Sequence, residues 1–374
     1  MQRLILFIVV AAALWVLIMP RHERVAFDAA VCAGAPLTTA EAREQAQEAG
    51  YDINPRYQCI EKASYDAVNA QRRVWEEHHA QQLAAERAKL AEAGAPDFAQ
   101  QRHGFRTAIA LHDSHPLRVP NPPAGLFVRS DYRNAQHYML PAFVSPNPRD
   151  GQRHPAIVWI TGGDSNSLDD FWTPGPDAND QSARAFREAG MIMAFPTLRG
   201  GNGSDSAKEL FLGEVDDILS AAAQLATLSY VDPERIYLGG HSTGGTLALL
   251  TAEVKTPFKA VFAFGPVSSV DRYATLVPVR LADYDATELK LRSPIHWLSG
   301  IAQPTYLIEG GAGSNNSAEL ETLCAATHNP EVHCIRVPDA DHFSVLRRAT
   351  RVIAPRLASG ADSASTFTAE DFRQ

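Results

Sequence analysis

Six short apolar runs recur between residues 156 and 337, and segments of helical character separate them. Each run has four or five residues, which is the length of a strand and too short for a helix. Strands that alternate with helices in this way form a mostly parallel sheet that helices cover on both faces. We therefore expect an α/β, doubly wound fold that binds ligands beyond the carboxyl ends of its strands. The runs are residues 156–160, 191–195, 235–238, 260–264, 305–308 and 333–337.

The third run leads directly into Gly240-His241-Ser242-Thr243-Gly244, and a segment rich in Leu and Ala follows. This Gly-x-Ser-x-Gly pattern is typical of a tight turn from a strand to a helix. Such a turn strains the backbone at the serine, and both glycines have to be small so that strand and helix can approach closely. Ser242 is therefore our candidate nucleophile. The alternative is a glycine-rich turn that carries a serine by chance.

The last run leads to a histidine, His342, which lies 100 residues after Ser242 and opens a final helical segment. In hydrolases built this way the chain order is serine, acid, histidine, and the histidine follows the last strand. His342 would take the proton of Ser242 during attack and return it to the leaving group. The alternative is a histidine with a purely structural role.

From Leu126 to Leu357 the chain resembles the α/β-hydrolase fold and, within it, the catalytic domain of the prolyl oligopeptidase family. The resemblance implies a serine hydrolase that cleaves an ester or an amide or peptide bond through an acyl-enzyme. A carboxylesterase without peptidase activity, a non-catalytic hydrolase-like binding protein and a scaffold remain alternatives. The motifs that carry the resemblance are residues 198–200, 214–228, 231–236, 240–245 and 340–343.

The third member of such a site is a carboxylate that orients the histidine. The family pattern after the seventh strand is Gly-x-x-Asp, but Gly313 stands here where the aspartate is expected. Glu309 is the nearest carboxylate, and we take it as the first candidate. Asp271, Glu319 and the absence of an acid are the alternatives. In addition, the short segment before this domain replaces the large β-propeller usual in the family, so the propeller's selection of substrates is not carried over.

Two backbone N–H groups are expected to form the oxyanion hole. Thr243 supplies the first, because it follows the nucleophile at the start of the helix. Gly163 is our candidate for the second, and Gly162 and Asp164 in the same loop are alternatives. The long segment 267–303, which includes Tyr273, forms either a small cap over the site or ordinary packing.

The first 24 residues have the layout of a signal anchor or signal peptide. Residues 4–19 are an uninterrupted apolar run that begins directly after Arg3. No small-x-small cleavage pattern follows the run, so we favour an uncleaved anchor. We therefore expect a membrane association through this segment, with the catalytic domain on the extracytoplasmic side.

The rest of the chain is expected to divide into three parts. Residues 25–96 read as two or three amphipathic helices broken near residues 50–55, residues 97–358 as the hydrolase domain, and residues 359–374 as a polar tail. Two strands, at residues 126–132 and 137–144, would open the hydrolase domain.

The four cysteines fall into two local couples, Cys32 with Cys59 and Cys324 with Cys334. An even count after an export-type segment favours disulfides in an oxidising compartment. The alternative is four free thiols.

The charge pattern argues against a nucleic-acid partner, since the formal net charge is -9 and no basic patch stands out. The sequence has no Walker A loop, no EF-hand pattern and no cluster at zinc spacing. No metal or organic cofactor is therefore implied. The expected partner is a small ester or peptide substrate.

Overall fold

The computed structural model describes residues 51–53, 59–61, 97–113, 115–274, 281–360 and 367–372. The chain divides into two units, Met1–Lys89 and Leu90–Gln374. The signal anchor predicted at residues 1–24, most of the helical segment predicted at residues 25–96, and Cys32 lie outside the described residues. Within the described ranges, no helix is both long enough and apolar enough to cross a membrane.

In the first unit, β1 (Tyr51–Ile53) and β2 (Cys59–Glu61) pair as antiparallel strands. This pair differs from the helices that we expected for residues 25–96. The sequence between the strands contains Asn54-Pro55, which favours a turn, and proline is excluded from the interior of a helix. The expected break near residues 50–55 thus coincides with a strand pair.

The second unit alternates strands and helices along most of its length. Its strands are β3 (Val128–Arg129), β4 (Tyr132–Arg133), β5 (Met139–Leu140), β6 (Ala142–Val144), β7 (His154–Ile160), β8 (Ile192–Pro196), β9 (Val231–His241), β10 (Val261–Phe264), β11 (Thr305–Gly310) and β12 (Val332–Val337). Its α-helices are α1 (Phe98–Arg102), α2 (Ala185–Glu188), α3 (Glu214–Ala226), α4 (Thr243–Ala252), α5 (Ala286–Lys290), α6 (Ser317–Ala325) and α7 (Ser344–Ser359).

An eight-stranded sheet runs through this unit in the order β12-β11-β10-β9-β7-β8-β6-β3. The strands from β12 to β8 in that order pair in parallel, whereas β6 and β3 are antiparallel to their neighbours. Each of the six apolar runs forms one of the parallel strands. The predicted α/β, mostly parallel doubly wound fold is therefore confirmed.

The two strands expected at residues 126–132 and 137–144 are each broken into two short pieces. β3 pairs with β6 in the large sheet, whereas β4 and β5 form a separate two-stranded sheet. Pro141 separates β5 from β6. Proline has no N–H to donate to a strand ladder, which accounts for the interruption at this point.

Helix α4, which follows the elbow, is buried along its whole length. It packs on β9, on β10 and on α3. A helix that is apolar all round belongs in a protein interior, and the Leu- and Ala-rich sequence of α4 meets that condition. The start of α4 therefore lies on rigid neighbours.

The segment before the sheet is fastened to the long connection between β10 and β11. Phe98 stacks on Trp297 with ring centroids 4.9 Å apart. The carboxylate of Glu288 accepts hydrogen bonds from the Thr107 hydroxyl and the Ala108 N–H. Residues 111–113, further along this segment, line the cavity described below.

The end of the chain contributes to the core. Phe367 and Phe372 are buried, and Phe367 packs against Phe262 and Tyr306. Asp371 pairs with Arg356 of α7. Residues 367–372 thus differ from the polar tail expected for residues 359–374, because two aromatic side chains in that polar stretch reach the sheet.

A disulfide joins Cys324 of α6 to Cys334 of β12. The C-terminal couple of cysteines is thus a disulfide, as the even cysteine count favours. The bond closes a loop over a sequence separation of 10 residues.

We predict that replacing both Cys324 and Cys334 by serine lowers the free energy of unfolding by about 2–3 kcal/mol, because the open loop gains entropy in the unfolded chain. Urea unfolding followed by far-UV circular dichroism measures the difference. Dithiothreitol added to the double variant controls for the other cysteines. A change below about 0.5 kcal/mol would contradict the prediction.

Candidate active site

Ser242 lies between β9 and α4 with a positive φ of 55° and a ψ of -114°. Its N–H donates to the carbonyl of Phe264 at 2.8 Å. A Cβ atom added to Gly240 would lie 2.3 Å from the carbonyl oxygen of Gly244, and one added to Gly244 would lie 2.3 Å from that of Ile160. The prediction that both glycines must be small is confirmed. The elbow thus holds the serine in a strained conformation, as is common at functional sites.

The side chain of Glu309 lies beside His342. Its Oε2 is 2.8 Å from Nδ1 of the imidazole, and the carboxylate is fully buried. Two backbone groups also donate to this carboxylate: the N–H of Gly310 to Oε1 at 2.6 Å and that of Asn316 to Oε2 at 3.1 Å. Hydrogen bonds of this kind stabilise an ionised carboxylate in a buried position. Nδ1 of His342 is the donor to Oε2, which leaves Nε2 as the acceptor nitrogen of the neutral ring.

Two glycines lie in this part of the site, and only Gly265 had not been singled out from the sequence. A Cβ atom on Gly265 would lie 2.4 Å from the His342 ring and 2.8 Å from the Glu309 carboxylate. Gly313, which stands at the family's aspartate position, has a φ of 58°, and an added Cβ would lie 3.2 Å from that of Asp341. An aspartate at residue 313 would therefore be strained.

The alternative acids have partners elsewhere. Asp271 accepts a hydrogen bond from the Ser269 hydroxyl at 3.2 Å. Glu319 accepts two from Ser268 and pairs with Arg272. Of the three carboxylates considered, the structure brings only Glu309 to His342 within the described part of the chain.

The two oxyanion candidates lie close together, Thr243 at the start of α4 and Gly163 in the loop after β7. The Thr243 hydroxyl donates to the carbonyl of Gly163 at 2.9 Å, which ties the start of α4 to the loop after β7. Among the described residues, the N–H groups of Thr243, Gly163 and Asp164 have no acceptor. By contrast, the N–H of Gly162 donates to Oε1 of Gln181 at 3.1 Å. Gly163 and Asp164 thus remain available as the second donor, and Gly162 does not.

His241 is buried directly beneath this arrangement. Its ring packs against that of His342 with centroids 4.6 Å apart, and its Nε2 lies 2.8 Å from the His342 carbonyl oxygen. Burial and, to a lesser extent, the charge of His342 lower the pKa of His241 from its usual value to about 3. His241 is therefore neutral at physiological pH.

A cavity of about 550 Å³ opens in front of Ser242. Its apolar wall includes Leu210 and Phe211, both with positive φ. Its polar wall includes Asp113 together with Lys208 and Asp164, which form an ion pair at 2.8 Å. The cavity combines apolar and charged walls, as binding sites for small molecules often do.

Tyr273 lines the same cavity and was considered from the sequence only as a cap or packing residue. Its ring stacks on Phe211 at 5.1 Å. Its hydroxyl lies 2.8 Å from the Thr246 hydroxyl and also interacts with the side chain of Ser242. Burial raises the pKa of Tyr273 above its usual value, so the hydroxyl keeps its proton. The sequence shows a tyrosine in the long segment after β10, but it does not show the contact of that tyrosine with the serine.

Residues 178–350 match the prolyl oligopeptidase family. Over 160 residues the chain is 30% identical to a "probable dipeptidyl-aminopeptidase B" of Metarhizium robertsii. That alignment covers 38% of this chain and 17% of the relative, so most of the relative's length has no counterpart in the comparison. The predicted resemblance to this family is confirmed.

Solved structures with the same fold include a 2,6-dihydroxy-pseudo-oxynicotine hydrolase, which superposes with a TM-score of 0.50 and 18% identity. The match covers 64% of this chain and 70% of that one. A puromycin-hydrolysing peptidase of Mycobacterium tuberculosis superposes with a TM-score of 0.51 and 18% identity, over 64% of this chain and 40% of that one. At these identities the likeness concerns the fold.

We predict that His241 makes the folded protein sensitive to acid. The unfolded chain binds a proton at this residue below about pH 6.5, whereas the folded protein does so only near pH 3. The free energy of unfolding therefore decreases as the pH falls from about 6.5 towards 3. His241 contributes up to about 1.4 kcal/mol per pH unit to this decrease. His241→Gln should flatten the slope by up to that amount.

Urea unfolding at several pH values between 4 and 7 measures the two slopes. His112→Gln, at an exposed histidine, controls for the substitution itself. Equal slopes for the wild type and His241→Gln would contradict the prediction.

Proposed function

We propose that this chain, whose residues 178–350 match the prolyl oligopeptidase family, is a serine hydrolase that cleaves an ester or an amide or peptide bond through an acyl-enzyme. The observation that carries the proposal is the buried carboxylate of Glu309 paired with His342, whose ring packs against His241 of the strained serine elbow. A histidine oriented by a carboxylate and placed near a serine is the arrangement that activates a hydroxyl for attack on a carbonyl.

Ser242 is the nucleophile in this proposal. Nε2 of His342 accepts the hydroxyl proton as Oγ bonds to the substrate carbonyl carbon, and the resulting imidazolium then protonates the leaving group. The departing alcohol or amine leaves an acyl group on Ser242. Water then enters, His342 takes one of its protons, and the acid product leaves as Ser242 recovers its own.

Glu309 has two roles in these steps. Its hydrogen bond to Nδ1 holds the tautomer in which Nε2 is the acceptor, and its negative charge stabilises the imidazolium that forms. The N–H groups of Thr243 and Gly163 donate to the oxyanion of the tetrahedral intermediate. One such donor typically contributes on the order of 3 kcal/mol to the stability of the transition state.

We also propose a class of substrate. We favour a small peptide or amide over a simple ester, because the family is that of peptidases and the cavity offers both an apolar and a charged wall. The apolar wall fits an uncharged side chain next to the scissile bond, and the charged wall fits polar backbone groups. A carboxylesterase without peptidase activity is the alternative.

We also propose an extracytoplasmic location with a membrane anchor at residues 1–24, followed by the divisions at residues 25–96, 97–358 and 359–374. The disulfide between Cys324 and Cys334 supports an oxidising compartment. The apolar run at residues 4–19 supports the anchor.

We predict that a fluorophosphonate probe labels the wild-type protein at a single serine, because only an activated serine attacks the phosphorus rapidly. Ser242→Ala should abolish the labelling. Ser165→Ala changes another serine at the cavity and should leave it intact. Intact-protein mass spectrometry measures the adduct.

A folded wild type that is not labelled would contradict the enzyme proposal and favour a binding protein. Labelled protein is then tested with matched p-nitrophenyl esters and peptide p-nitroanilides. Hydrolysis of the esters alone would favour the carboxylesterase.

We predict that Glu309→Gln lowers kcat about 10³- to 10⁴-fold, because an amide cannot hold the required tautomer and cannot neutralise the imidazolium. Asp271→Asn is the matched control at the alternative acid and should retain kcat within about threefold. Steady-state kinetics measures both variants, and circular dichroism verifies their folding. Near-normal turnover of Glu309→Gln with a large loss in Asp271→Asn would reassign the acid.

A further inference from the structure

We propose that His241 and Gln181 are positioning residues that hold the loop of the general base and the oxyanion loop in register with Ser242. This inference rests on the proposed function. The two side chains form one continuous chain of hydrogen bonds, which starts at the Gly162 N–H and ends at the His342 carbonyl.

The direction of each hydrogen bond follows from its ends. The His342 carbonyl can only accept, so Nε2 of His241 carries the proton and donates to it at 2.8 Å. Nδ1 of His241 is then an acceptor, and it receives a hydrogen bond from Nε2 of Gln181 at 2.8 Å. The Gly162 N–H can only donate, and Oε1 of Gln181 accepts from it at 3.1 Å. Every group in the chain thus has a complementary partner.

Further contacts hold Gln181 in place. The second hydrogen of its side-chain amide is directed to Oδ1 of Asn179 at 2.8 Å. Its backbone carbonyl accepts a hydrogen bond from the indole N–H of Trp159 at 3.1 Å. Trp159 belongs to β7 and is fully buried. The amide of Gln181 therefore projects from a rigid support.

The space around His241 is equally restricted. A Cβ atom added to Gly162 would lie 2.9 Å from Nδ1 of His241. Burial keeps the imidazole neutral, which preserves one donor and one acceptor nitrogen. A protonated ring would lose the acceptor that faces Gln181.

The chain of hydrogen bonds ends at Gly162 and at His342, and acyl transfer demands accurate geometry at both places. Gly162 directly precedes Gly163, whose N–H is the proposed second oxyanion donor. The His342 carbonyl belongs to the residue whose ring must meet Ser242, and its N–H is held separately by the carbonyl of Ser314 at 2.9 Å. A shift of about 1 Å at such a site reduces a rate about 100-fold.

Four variants test the proposal in the full-length protein. His241→Phe keeps a ring but removes both hydrogen bonds, whereas His241→Gln keeps an N–H that can reach the His342 carbonyl. Gln181→Met removes all three hydrogen bonds of the side-chain amide, at a half-buried position where folding is less at risk. The fourth variant combines Gln181→Met with His241→Phe.

The chain of hydrogen bonds holds groups that act in the transition state rather than in substrate binding. We therefore expect His241→Phe and Gln181→Met each to lower kcat about 10- to 100-fold and to change KM by less than about threefold. His241→Gln should recover at least about half of the loss on a logarithmic scale. The combined variant should be about as active as the less active of the two single variants. Its loss should fall short of the product of the two single losses, because the two residues act in series. Steady-state kinetics with a p-nitrophenyl ester measures these values.

A second readout does not depend on turnover. The proton between Nδ1 of His342 and Glu309 should give a downfield proton NMR signal, and this signal should shift or broaden in His241→Phe and Gln181→Met. A wild type that shows the signal but neither hydrolyses esters nor reacts with a fluorophosphonate would refute the proposed function and leave the positioning role testable by NMR. Unchanged kcat and an unchanged signal in folded Gln181→Met, or equal losses in His241→Phe and His241→Gln, would overturn the positioning role.

Discussion

The close approach of three backbone segments at the elbow is the constraint on which the site depends. At Gly240 and Gly244 no Cβ atom can be accommodated, because carbonyl oxygens lie 2.3 Å from where it would stand. The same contact brings the ends of β7 and β9 side by side, with Ile160 paired to Gly240. Ser242 is thereby fixed above the sheet, with Thr243 beside the loop that contains Gly163. Backbone packing rather than side-chain packing positions Ser242, the proposed nucleophile.

Buried polar contacts then hold the loops around this point. Arg199 and Asp217 form a two-pronged ion pair with almost no exposure to solvent. Asn166 donates to the Arg199 carbonyl at 2.7 Å and to Glu214 at 3.1 Å, which anchors the loop that follows β7. Removing one partner of such a buried pair typically costs about 3–5 kcal/mol. The stability of the fold and the geometry of the loop after β7, which carries the proposed oxyanion donor, are therefore linked.

Much of this arrangement follows from local sequence patterns. Short apolar runs identify the parallel strands, and the spacing around Ser242 identifies a turn that tolerates only glycine on either side. Other features depend on contacts between distant residues. Gly265 is required because His342 and Glu309 lie against it, and the route from Gly162 to His342 passes through Gln181, 60 residues before His241. The burial of Phe367 and Phe372 likewise depends on the space that the neighbouring strands leave open.

The central claim is that Ser242, supported by His342 and Glu309, carries the acyl group during turnover. Rapid acid quenching of the protein with a p-nitrophenyl ester, followed by peptide mass spectrometry, tests this claim most directly. The account predicts a burst of one p-nitrophenol per protein molecule and an acyl mass on the peptide that contains Ser242. Steady hydrolysis without an acyl adduct, or an adduct on a different residue, would contradict it.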